Sequence, residues 1–162
     1  MIILGVDPGV GIVGYGVLSS VRGTASPLGH GVITTDASLS LPERLTVIYR
    51  DMNLLIDKFK PHAAAVEQLF YKNNQKTVIQ VAEARGVILL ALRERGVEIF
   101  EYTPLQVKMA LTGYGRATKK QMMEMTRLRL GLQEVPKPDD AADALAIALV
   151  LSGSSPLARR TV

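Results

Sequence analysis

The sequence predicts an α/β domain: a mixed central β-sheet that opens with an antiparallel meander and carries helices on both faces. Three observations predict it. Short apolar runs at residues 1–7, 15–20 and 31–34 come before any helical periodicity and are separated by glycine-bearing breaks. Helical stripes and short apolar runs then alternate, as they do where crossover helices join parallel strands. Hydrophobic residues fill 48% of 162 positions, which suits one domain with a full core.

Each element follows from its residues. Residues 1–7 read as a buried strand, and Gly9, Gly11 and Gly14 punctuate a turn. Residues 15–20 form a second strand, and 31–34 end a third after the Gly/Ser/Pro-rich stretch 23–29. Pro42 and Glu43 open a helix with Leu45, Ile48, Met52, Leu55, Ile56 and Phe59 on one stripe, and Pro61 stops it. Residues 62–66 are a strand that the helical crossover sets parallel to the first. A long helix begins at Asn74 or Thr77 and runs to Arg95, with Gly96 as its stop. Its stripe of Val78, Val81, Ala82, Ile88, Leu89 and Leu92 packs on the sheet or on a second copy of itself. Residues 97–102 form another strand, and Pro104 starts a short helix ending near Thr112 and Gly113. After the joint Gly113-Tyr114-Gly115, Thr118 caps a helix to about Leu130, ended by Gly131. Pro136 and Pro138 bracket a linker before the last helix, 139–151. The expected organisation is one domain over 1–152 and a flexible basic tail over 153–162, with Arg159 and Arg160.

Composition removes several classes of function. Without cysteine there are no disulfides, thiolate sites or thiol nucleophile, and two histidines are too few for a His-rich zinc site. No apolar stretch is long enough to span a membrane, and Asp7 interrupts an N-terminus with no positive lead, so no signal peptide is expected. A reducing, cytoplasmic location is the expectation. The net charge of +4 is unevenly spread. Between residues 102 and 138 there are seven basic residues (Lys108, Arg116, Lys119, Lys120, Arg127, Arg129 and Lys137) against two acids, Glu124 and Glu134. Such a basic segment is either a solvated face or a surface for a polyanion.

The acids sit where apolar elements meet breaks. Asp7 ends the first strand, Glu67 ends the run Ala63-Ala64-Ala65-Val66, and Asp140 and Asp143 open the apolar segment of the last helix. Asp140 and Asp143 are three apart and share a helix face, although acids in a first helical turn are also ordinary partners of the helix dipole, the role expected of Asp139. Asp7 before Pro8-Gly9 equally suits a turn. The combination decides. Two like charges at about 4 Å repel by roughly 4 kcal/mol at an effective dielectric near 20, so converging carboxylates call for a cation. Hard oxygen donors suit Mg²⁺ or Mn²⁺, and a two-metal site suits displacement at phosphorus. A lysine among Lys108, Lys119 and Lys120 would steady charge at the phosphate. After Glu67, the polar loop Gln68-Leu69-Phe70-Tyr71-Lys72-Asn73-Asn74-Gln75-Lys76 holds two of the chain's eight aromatics (five Tyr, three Phe). One ring is expected to fill the core and the other, Phe70 by preference, to stack on an unpaired base.

Gly9-Val10-Gly11-Ile12-Val13-Gly14 spells the dinucleotide fingerprint, but Tyr15-Gly16-Val17-Leu18 disfavours the helix that a pyrophosphate needs. No nucleotide cofactor is expected. The glycines instead close a hairpin and admit a close backbone approach. Asp7-Pro8-Gly9-Val10-Gly11 also resembles the phosphate loop of actin-like ATPases and sugar kinases, which enclose ATP between two such domains.

Taken together, Ile3-Leu4-Gly5-Val6-Asp7-Pro8-Gly9, Val66-Glu67-Gln68-Leu69-Phe70, Ala84-Arg85-Gly86, Gln106-Val107-Lys108 and Asp140-Ala141-Ala142-Asp143-Ala144-Leu145-Ala146 resemble the RuvC family of bacterial Holliday-junction resolvases over nearly the whole chain. The resemblance implies an RNase H-like fold of the retroviral-integrase superfamily and a homodimer. It implies Mg²⁺-dependent cleavage of two opposed strands of a four-way DNA junction in recombination and repair, with about two ions per site and Mn²⁺ as a substitute. The family's four acids fall on Asp7, Glu67, Asp140 and Asp143, its active-site lysines on Lys108 and Lys119, and its junction aromatic on Phe70. Where some members carry histidine, this chain has Asp140. Further DNA contacts are expected from Tyr71, Lys72, Lys76, Arg116 and Lys120. A partnership with the RuvA–RuvB branch-migration complex is also implied. Competing readings are an RNase H-like nuclease for another nucleic acid such as RNA, a non-enzymatic junction-binding protein, and an actin-like ATPase.

Overall fold

In the computed structural model, residues 1–69 and 75–154 are described, with the side chains of Gln75 and Lys76 left aside. Five strands form one sheet in the order β3-β2-β1-β4-β5. Strand β1 (Ile2–Asp7) pairs antiparallel with β2 (Ile12–Val21), and β2 pairs antiparallel with β3 (Thr24–Thr34). Helix α1 (Leu41–Phe59) crosses over to β4 (Ala63–Glu67), which lies parallel to β1. Helix α2 (Gln75–Glu94) leads to β5 (Glu98–Tyr102), parallel to β4. Three helices complete the described residues: α3 (Pro104–Thr112), α4 (Lys119–Leu130) and α5 (Asp139–Gly153). The predicted mixed sheet, meander and parallel crossover are all present.

Alternation along the strands divides the core into two layers. Leu4, Val6, Val13, Val17, Ala64 and Val66 pack against Ile48, Met52 and Ile56 of α1 and Ala84, Ile88 and Leu92 of α2. Ile3, Leu18, Ala63, Ala65 and Phe100 pack on the other face with Leu145 and Ile147 of α5 and Val107 and Leu111 of α3. In α2, Ala82 of the predicted stripe points outward, while Ala84 and Ala91 are buried in its place.

Helix α5 lies on the sheet with almost nothing between. A Cβ added at Gly5 would fall 2.0 Å from the Ala144 carbonyl oxygen, and one at Gly14 2.0 Å from that of Asp140. At Gly16 it would meet the Leu145 backbone nitrogen at 2.7 Å. Gly14 therefore belongs to β2 as a seat for a helix, not to the turn. Gly9 keeps its turn role, since an added Cβ would lie 2.2 Å from the Ile12 carbonyl oxygen.

Residues 24–29 of the Gly/Ser/Pro-rich stretch, before the 31–34 run that the sequence marked as strand, are already part of β3. Arg22 and Gly23 both have positive φ and form a two-residue hairpin turn, and β3 begins at once. Pro27 is tolerated because β3 is an edge strand and a register shift at Val17/Leu18 absorbs an extra residue. The predicted glycine stops hold: Gly96, Gly113 and Gly131 all have positive φ. Helix α5 includes Gly153, one residue into the expected tail, and Arg159 and Arg160 lie outside the described residues. Among the described residues no helix is long and apolar enough to cross a membrane.

Candidate active site

The site begins as a consequence of register. Val6 pairs with Val66 in the parallel ladder, so Asp7 and Glu67, one residue on, end adjacent strands. Both follow the alternation of Ile3 and of Ala63 and Ala65, which puts them on the α5 face of the sheet. On β2, Gly14 stands opposite Asp7 and carries the Asp140 backbone. The first turn of α5 is thereby pressed against the carboxyl end of β1. One and a half helical turns of small residues after Pro138 deliver Asp140 and Asp143 to the same place.

The electrostatics record this convergence. Burial, and then the charges of Glu67, Asp143 and Asp140, push the Asp7 carboxyl up to about 8, against the opposing effect of Lys119. Asp143 is also raised, first by burial and then, with Lys119 working against it, by Asp140 and Asp139.

Lysines enter from the basic segment. Thr118 caps α4, its hydroxyl accepting from the Gln121 amide at 3.3 Å, and this sets Lys119 on the first turn. The Lys119 ammonium lies 3.2 Å from Asp139 Oδ2 and 3.3 Å from Asp143 Oδ2. Burial lowers the Lys119 pKa, but the two carboxylates outweigh it and the net direction is up. The cap of α3, Thr103 with Gln106, places Lys108 one turn in. Lys108, Lys119, Glu67 and Asp143 line one cleft of about 290 Å³ floored by Val107, Ala146 and Ile147.

Four of the six expected catalytic positions thus line one cleft; Asp7 joins them by its register beside Glu67, and Asp140 by its charge on Asp7. Asp139 lies in the first turn of α5, as expected of a partner of the helix dipole; Pro138 occupies the N-cap, and the exposed Asp139 carboxylate also pairs with Lys119. The basic segment is only partly available to a ligand. Arg127 binds Glu124 and the Leu132 carbonyl oxygen, and Arg129 donates to the carbonyls of Ala110 and Leu111. Arg116 and Lys120 are exposed. Phe70, Tyr71 and Lys72 lie outside the described residues, and Lys76 is described only as backbone in the first turn of α2.

Two contributors were not legible as site residues. Arg85, on the sheet-facing side of α2, donates from Nε to the Glu67 carbonyl oxygen at 3.2 Å and pairs with Glu101. Its signal in the sequence is an arginine on an apolar stripe, four residues after Val81 and three before Ile88. Asp139 had a signal too, in that it follows the helix-opening proline directly.

The donor set is four carboxylates with no nitrogen or sulfur, which is the chemistry of an oxygen-seeking divalent ion. Among the described residues, no three acidic or imidazole groups are placed to ligate a single ion. The match lies in donor chemistry and in the repulsion a cation would relieve, not in a preformed cage.

The family model described as crossover junction endodeoxyribonuclease RuvC matches residues 3–151. The chain belongs to the RuvC family. Crossover junction endodeoxyribonuclease RuvC of Thermosipho melanesiensis is 51% identical over 152 residues, covering 94% of this chain and 97% of that one. The protein of the same description from Fusobacterium nucleatum is 50% identical over 149 residues, covering 92% and 78%. Among solved structures, Thermus thermophilus RuvC in complex with Holliday junction substrate superposes with a TM-score of 0.90 at 32% identity, with all of both chains covered. The expected RNase H-like α/β fold of RuvC proteins is the fold of this chain.

Proposed function

We propose that this chain resolves four-way DNA junctions, as a homodimeric Mg²⁺-dependent endonuclease that makes paired symmetric nicks with 5′-phosphate and 3′-hydroxyl ends. The observation that carries the reading is the gathering of Asp7, Glu67, Asp140 and Asp143 from three elements, beside Lys108 and Lys119. Membership of the RuvC family, and the likeness to a relative solved with a Holliday junction substrate, supply the substrate class.

Asp7, Glu67, Asp140 and Asp143 would hold about two Mg²⁺ ions, with Mn²⁺ as a substitute. Bound there, the ions supply an activated water and neutralise charge on the scissile phosphate. The chain's own groups do the rest. The carboxylates orient the attacking water in line with the P–O3′ bond; as the new P–O bond forms the water gives up a proton to solvent, the bond to O3′ breaks, and O3′ takes up a proton from solvent to leave as a hydroxyl. Lys108 and Lys119 flank the cleft where negative charge grows at phosphorus. Phe70, Tyr71, Lys72, Lys76, Arg116 and Lys120 form the outer DNA contacts in this reading.

Paired nicks need two sites in fixed geometry. Helix α2 offers a face for a second copy: Ile79 and Leu90 are 60% and 52% exposed, with Ala82 and Gly86 exposed between them. In this reading the protein works in the cytoplasm with the RuvA–RuvB complex.

The test is cleavage of a labelled four-way junction with Mg²⁺, beside linear duplex and RNA, with EDTA and Asp7→Asn as controls. Symmetric ligatable nicks confined to the junction, the metal and the unaltered chain are expected. Tight binding without nicks would leave only a junction-binding protein, and preference for RNA would move the substrate.

A further inference from the structure

We propose that Arg85 is a positioning residue that sets the Glu67 carboxylate from the opposite side of the sheet. The inference rests on the endonuclease reading above. The β1–β4 ladder stops at Val6 and Val66, so the Glu67 carbonyl lies past its last rung. A main-chain carbonyl at such an end needs a donor. Arg85 provides it, with Nε 3.2 Å from the Glu67 oxygen. On the β5 side the Gln68 amide donates to the Tyr102 carbonyl oxygen at 2.9 Å. The end of β4 is thus held on two sides just where the chain turns into the loop after Glu67.

Arg85 also forms an ion pair with Glu101 on β5, and both side chains are largely buried. The carboxylate neutralises the guanidinium, so what Arg85 contributes at the site is placement more than charge. It comes from the α2 layer, whereas the Glu67 side chain faces α5. Fixing the peptide at Glu67 fixes the direction of its Cα–Cβ bond, and so where its carboxylate meets Asp7. Arginine suits the task because one rigid planar group reaches acceptors on two strands; a lysine offers one ammonium.

Arg85→Ala, Arg85→Lys and Glu101→Gln would be compared with the unaltered chain in three measurements: nicking rate against Mg²⁺ concentration, junction binding in EDTA, and the rise in unfolding temperature when Mg²⁺ is added. For Arg85→Ala, orientation of a ligand by its neighbour predicts about a 10- to 100-fold loss in metal affinity or rate. Binding in EDTA should stay within about twofold and the metal-induced thermal shift should shrink, with Arg85→Lys and Glu101→Gln intermediate. Wild-type rates and metal requirement in Arg85→Ala would overturn the role. So would an Arg85→Ala that fails to fold while Arg85→Lys and Glu101→Gln match wild type throughout, since Arg85 would then be structural. If the unaltered chain makes no nicks, the endonuclease reading fails on its own, and the thermal shift still reports on Arg85.

Discussion

Lys119 Nζ stands 3.3 Å from Asp143 Oδ2, so a side chain of α4 supplies the first cation met by the acids of α5. The same ammonium reaches Asp139 at 3.2 Å and opposes the upward shifts of Asp7 and Asp143. Its removal should therefore leave the acids harder to ionise. Lys119→Ala is expected to nick about 10- to 100-fold more slowly, and the acid limb of its pH–rate profile should move to higher pH. Lys119→Arg should keep the limb near its original position. A slower variant with an unmoved limb would mean that Lys119 acts on DNA alone.

Asp7 makes the metal-free protein sensitive to alkali. Its carboxyl has a folded pKa of about 8 against an ordinary value of 3.8, with burial as the main cause. The folded state therefore holds a proton that the unfolded state gives up. This contribution to stability is complete below about pH 4 and is lost as pH rises through about 8. In EDTA the protein should lose on the order of a few kcal/mol over that interval, and Asp7→Asn should flatten the profile. Urea unfolding at a series of pH values measures both. Mg²⁺ should reverse the loss and release protons on binding, which calorimetry in buffers of different ionisation enthalpy detects.

The sequence was most readable where one residue type has one physical use. Asp7 and Glu67 announced themselves because a buried run cannot end in a carboxylate without a partner. Gly96, Gly113 and Gly131 marked helix ends because only a left-handed residue closes them cheaply. The 23–29 stretch misled because Pro27 is excluded from inner strands only, and edge position is a property of the sheet. Arg127 and Arg129 looked like part of a nucleic-acid surface because a charge count cannot see the carbonyls they bind. Arg85 was hidden for the same reason, its acceptor being a main-chain oxygen on another element.

The seat of α5 gives a third prediction. Gly14→Ala would drive a methyl group to 2.0 Å from the Asp140 carbonyl oxygen, and backbone has no rotamer with which to yield. The helix must lift, taking Asp140 away from Asp7. A loss of about 1–3 kcal/mol or more is expected, with a sharp fall in nicking. Gly153→Ala meets nothing within 4 Å and serves as the neutral or mildly stabilising control. Thermal unfolding and junction cleavage of the two variants should diverge; equal behaviour would mean that α5 is not fixed by this contact.

The outer face of α2 yields the last. Leu90 is 52% exposed, and Ile79, Glu83 and Gly86 lie on the same side of the helix at spacings of three or four. An added Cβ at Gly86 meets nothing within 4 Å in the single chain, so the glycine is not required by its own fold. A small residue flanked by two large apolar ones is what lets a second helix cross closely. Leu90→Glu should leave the core intact, because the Leu90 side chain faces away from Ile88 and Leu92. In the proposed homodimer it should nevertheless shift the protein from dimer to monomer in sedimentation at micromolar concentration. In a junction assay the monomer should cut single strands without pairing the nicks. A Leu90→Glu protein that remains dimeric and still cuts both strands together would move the dimer interface to another surface.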